Sequence, residues 1–121
     1  MQAHFKVNAL APLSIISKGN KMIAHVFRAN GGTEDMYMDV RSSDGHCSAA
    51  YKIAKKCNLK YGDIASFCIA SPYYRVTSPD SVVRSYAVAV ERGALYLAEY
   101  DCLKPSTFPK SASDMMAIGN V

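Results

Sequence analysis

The sequence predicts an α+β fold, a mostly antiparallel sheet of four to five strands packed with two helices. Three patterns carry that reading. Asn30, Gly31 and Gly32 separate two short strand-like runs, Ala50, Ile53, Ala54 and Cys57 recur at helical spacing, and Leu95 and Leu97 alternate with Tyr96 and Ala98. A chain of 121 residues has the size of one domain around one core, expected over 1–121 with a C-terminal tail, 104–121, that docks on it. Its 50% hydrophobic and 20% charged residues match ordinary globular proteins and exclude a disordered or fibrous class.

Taken in chain order, 2–10 places Phe5 and Val7 on one side and His4, Lys6 and Asn8 on the other, the alternation of a first strand that Pro12 ends. Leu13 to Ser17 is a short, partly apolar stretch, and Lys18 to Lys21 reads as a turn. A second strand over 22–28 leads into Asn30 and Gly31, and Met36, Met38 and Val40 share one face of the next, which makes a hairpin. Both central residues of a tight hairpin turn need positive φ, which asparagine and glycine tolerate best.

Ser42, Ser43, Asp44 and Gly45 form a polar break before the first helix, expected over 47–58. Its apolar stripe is Ala50, Ile53, Ala54 and Cys57, and Lys52, Lys55 and Lys56 lie opposite. Tyr61, Gly62 and Asp63 mark a turn into a buried strand over 64–70. Ser78, Pro79 and Asp80 resemble a helix start, since serine caps free amides, proline fits the first turn and aspartate suits the positive helix end. The second helix is expected to follow, with Val82, Val83, Tyr86, Ala87 and Val90 in one sector and Gly93 at its C-terminal cap. The rival reading makes Tyr86, Val88 and Val90 one face of a strand that turns at Arg92 and Gly93. Either way 94–100 is a strand. Pro105 and Pro109 then break regular structure before one last apolar turn over 113–118.

No run approaches the ~20 apolar residues of a membrane span, and 1–13 lacks the clean apolar centre of a secretion signal, so no membrane role is expected. The four cysteines are separated by 9, 10 and 33 residues and form no Cys-x-x-Cys pair, which points to free thiols and a cytoplasmic setting. His4, His25 and His46 have no helical ligand spacing, so no metal is assigned. No phosphate-cradling glycine loop or nucleophile elbow occurs, and no cofactor is assigned either.

Fourteen Lys and Arg against ten Asp and Glu leave a net charge of +4, which favours an anionic partner. The candidate contacts are the basic helix face of Lys52, Lys55 and Lys56, with Lys60 just past it, and the loop of Tyr73, Tyr74 and Arg75 behind Pro72. Lysines on a solvated helix face are also the default of any helix. Tyrosines beside arginine stack on bases or anchor protein interfaces. These features favour a non-catalytic binding module or stoichiometric inhibitor acting on nucleic acid or an acidic protein surface. The alternative is a small cysteine or histidine enzyme centred on Cys47, where a helix N-terminus lowers a thiol pKa and a base such as His25 or His4 is brought in by folding. Met115, Met116 and Ile118 in the apolar tail further suggest a two-fold homodimer.

Overall fold

The structure, a computed structural model, describes residues 3–7, 21–39, 45–69 and 84–121. Strands β1 (Lys21–Phe27) and β2 (Thr33–Asp39) precede helix α1 (His46–Lys56), and β3 (Ile64–Ile69), β4 (Arg84–Glu91), β5 (Ala94–Tyr100) and β6 (Met116–Asn120) follow it. All six strands join one antiparallel sheet in the order β2-β1-β3-β4-β5-β6. The α+β expectation holds in that form, with six strands and one α-helix among the described residues rather than four to five strands and two helices.

The difference lies at β4. The expected helix through Val82 to Val90 is a strand over the part described, while Ser78, Pro79 and Asp80 lie outside the described residues. Arg92 and Gly93 have φ of 54° and 73° and connect β4 to β5 with Glu91 opposite Ala94, the pattern of a two-residue type I′ turn. Ser85 through Ala89 are all buried, because side chains on both faces of the strand are covered. A strand covered on both faces reads as a continuous apolar run and loses the alternation that would separate it from a helix.

The β1–β2 connection is also built differently. Gly31 has φ 92° whereas Asn30 does not enter the positive region, so the tight turn with two positive φ values does not form here. The Gly31 N–H donates to the Arg28 carbonyl at 2.9 Å and the Arg28 N–H to the Gly32 carbonyl at 2.7 Å, closing a longer loop. Asn30 serves through its side chain instead, accepting from the Gly32 N–H at 2.8 Å.

One face of the sheet packs on α1. Ala49, Ala50, Ile53, Ala54 and Cys57 are buried against Val26, Phe67, Tyr86, Val88, Leu95 and Leu97, as the helical spacing requires. Burial of Ile53 alone contributes roughly 1.5–3 kcal/mol. The other face carries Phe27, Ile64, Ala87, Ala89 and Tyr100, covered by Phe108 and by half-buried Phe5, Val7 and Met115. Phe108 sits edge-on to Tyr100 at 4.8 Å and to Phe27 at 6.2 Å between ring centres.

Within 3–7, Phe5 and Val7 are half-buried and His4 and Lys6 exposed, which matches the alternation. This segment pairs only through a His4–Ser111 bridge, however, and is not a strand of the sheet. The tail does not end in an apolar turn. Short 3-10 turns at Pro105–Thr107 and Ala112–Asp114 lead into β6, which pairs with β5.

Candidate binding surface

Helix α1 spans eleven residues without a carboxylate. Because Ala49, Ala50, Ile53 and Ala54 face the sheet, Lys52, Lys55 and Lys56 are exposed on the far side. Lys55 and Lys56 stand in the last turn, where the negative helix end favours cations, so the same charges support the helix itself. The Cys57 N–H closes on the Ile53 carbonyl, and Asn58, at φ 49°, turns the chain so that exposed Lys60 continues beyond the helix end.

Lys60 lines an open cleft of about 710 Å³ between the β1–β2 loop and the loop from α1 to β3. Arg28, Asn30, Thr33, Asn58 and Tyr61 contribute to the same walls. Buried Asp63 holds the two loops together: it accepts from the Ala29 N–H at 2.7 Å, the Lys60 N–H at 3.0 Å and the Arg28 guanidinium at 3.1 Å. The Arg28 Nε–H also donates to Glu34. Partial burial works to lower the Arg28 pKa, but its bonds to Glu34 and Asp63 outweigh it and the net shift is upward. The positive charge of Arg28 is thus held by two carboxylates, and Lys60 is the cleft cation that extends the helix row.

Tyr73, Tyr74 and Arg75 lie outside the described residues, as does Asp44. Cys47 is exposed in the first turn of α1. The structure corrects the idea that His25 or His4 serves it as base. His25 lies on β1 between Ala24 and Val26, which face the helix, so it belongs to the opposite face of the sheet, where its Nδ1 meets Asp35 Oδ1 at 2.7 Å. His4 bridges Ser111, beside the cover of that same face. Adjacent His46 instead stacks on Tyr86, ring centres 4.9 Å apart and planes within 4°, and Tyr86 stacks on Phe67.

The opposite face also holds a polar group that spacing alone could not reveal. Ser66, Ser85 and His25 are buried there, Cys68 Sγ lies 3.6 Å from Ser85 Oγ, and Tyr100 bonds Ser66. Burial pushes the Cys68 thiol up to about 11 and the Tyr100 phenol up to about 12, each offset in part by its serine. Both groups therefore sit as neutral hydrogen-bonding side chains. Among the described residues, no three His, Cys, Asp or Glu side chains are grouped to hold a metal ion. No helix among them is long and apolar enough to cross a membrane. Comparison with family models, curated proteins and solved structures finds no match to this chain.

Proposed function

We propose that this chain is a non-catalytic binding module that engages an anionic macromolecule, nucleic acid or an acidic protein surface, through the outer face of α1. Stoichiometric inhibition of an acidic protein is one form that such binding takes. The observation that carries the reading is the exposed row Lys52, Lys55 and Lys56 on a helix without carboxylates, continued by Lys60 at the rim of the cleft. Each cation that neutralises a phosphate releases counterions from a polyanion, and several presented together on a rigid element add their gains in one contact. The net charge of +4 adds long-range attraction for the same partners. The loop of Tyr73, Tyr74 and Arg75 is proposed as a second contact on sequence grounds, because tyrosine and arginine supply stacking and bidentate bonding.

Binding of single-stranded DNA and of an acidic polypeptide, each measured across a salt series, tests the proposal. Affinity should fall steeply with salt, and a Lys52→Ala, Lys55→Ala, Lys56→Ala variant should lower the logarithmic salt slope for DNA by about 0.7 for each phosphate no longer neutralised by a lysine. Absence of DNA binding at low salt removes the nucleic-acid form. Absence of binding to both probes, or a slope that the triple variant leaves unchanged, rejects the basic face.

A further inference from the structure

The cleft beyond the end of α1 differs in charge from the helix face that leads to it. Its charged walls are Arg28 and Lys60 against Glu34 and Asp63, two cations and two carboxylates, so the cleft as a whole is neutral. Arg28 is already bonded to both carboxylates. The other polar walls are uncharged: Asn30, Thr33, Asn58 and Tyr61, the last 53% exposed. Asn30 gives its Oδ1 to the Gly32 N–H, leaving its amide N–H groups as donors.

The cleft is also preformed. Asp63 ties its two walls through bonds to the Ala29 and Lys60 N–H groups and to Arg28. Gly62, at φ 89°, lets the loops touch, since a Cβ there would stand 2.8 Å from that of Ala29. The volume of about 710 Å³ falls in the ~300–1,000 Å³ range of small-ligand sites.

We infer that this cleft is a nucleobase subsite, which takes one unpaired base of a single-stranded nucleic acid whose phosphates lie along the lysine row. The subsite rests on the polyanion contact proposed for the outer face of α1 and specifies nucleic acid as its partner. A nucleic-acid strand alternates anionic phosphates with flat, uncharged bases. The protein surface offers the same alternation: Lys52, Lys55 and Lys56 present charge on the helix, Lys60 continues it to the rim, and the neutral cleft with its tyrosine follows. An aromatic face stacks on any base, and side-chain amides bond the base edge, which only an unpaired base exposes. An acidic polypeptide has no uncharged ring to place there, and its carboxylates would meet those of Glu34 and Asp63.

Binding of three probes to the full chain tests the subsite: oligothymidylate, an abasic deoxyribose phosphate oligomer of the same length, and polyglutamate. The parent should bind oligothymidylate at least about fivefold more tightly than the abasic oligomer, the least that one stacked base contributes. Tyr61→Leu should weaken oligothymidylate binding by about fivefold to a hundredfold while its salt slope and the affinity for the other two probes stay unchanged. Tyr61→Phe, which keeps the ring, should stay near the parent. Tyr61 is exposed, so both variants should fold, which thermal melting checks. Equal binding of the two oligomers by the parent, unchanged oligothymidylate affinity in Tyr61→Leu, a loss shared by all three probes, or an equal loss in Tyr61→Phe would each overturn the base subsite. The Lys52→Ala, Lys55→Ala, Lys56→Ala variant keeps its failure distinct from that of the basic face. A reduced salt slope beside a silent Tyr61→Leu rejects the subsite alone, whereas an unchanged slope beside a Tyr61-dependent loss rejects the basic face alone.

Discussion

The Tyr51 hydroxyl occupies the space in which a side chain on Gly119 would have to stand. It donates to the Ile118 carbonyl at 3.4 Å, which ties α1 to the last strand of the sheet across 67 residues of sequence. Replacing Gly119 by Ala should displace the ring and cost about 1–3 kcal/mol in urea unfolding. In a Tyr51→Phe background the same change should cost less, since the overlapping oxygen is gone. Equal costs in the two backgrounds would show that this contact does not set the requirement for glycine.

Asp63 joins two loops that are distant in sequence, and its three bonds involve two backbone N–H groups and Arg28. An Asp63→Ala substitution leaves those donors without their acceptor and should lower stability by about 2–4 kcal/mol. Asp63→Asn retains one acceptor oxygen and should lose less. The denaturation midpoint measures both, and a loss for Ala below about 0.5 kcal/mol would remove Asp63 from its role as the link.

Alkaline stability should be governed in part by Cys68 and Tyr100. Burial raises the thiol from its ordinary 9.0 to about 11 and the phenol from 10.0 to about 12. Because the folded values lie above the unfolded ones, the unfolded chain gives up these protons first. Their contribution is whole below about pH 9 and is lost as pH climbs from there through 11 and 12. Urea midpoints taken from pH 8 upward should decline, and a Cys68→Ala, Tyr100→Phe variant should decline less. Parallel curves for the two proteins would count against this assignment.

Thiol labelling should follow exposure. Cys47 is exposed, Cys68 and Cys102 are half-buried, and Cys57 is 1% exposed with its pKa raised by burial. Under native conditions mass spectrometry should find Cys47 modified first and Cys57 only after unfolding. Early modification of Cys57 would mean that the helix opens readily from the sheet.

Helix α1 was legible in the sequence because its apolar residues keep helical spacing with lysines opposite, and the basic face came with it. β5 was legible through the alternation of Leu95 and Leu97, and the hairpin through its glycines, although Asn30 acts there by its side chain rather than by positive φ. Tertiary structure decided β4, since only the covering of both sheet faces explains why residues 85–89 are apolar or small throughout, and a local pattern cannot tell that from a helix. It also decided the cleft, where Arg28 and Asp63 meet across 35 residues, and the separation of His25 from Cys47 by the sheet. Spacing along the chain encodes which face of an element a residue takes, because that depends on the backbone's own period. Which faces and loops come together depends on strand order, and strand order is fixed by contacts between residues far apart in the chain.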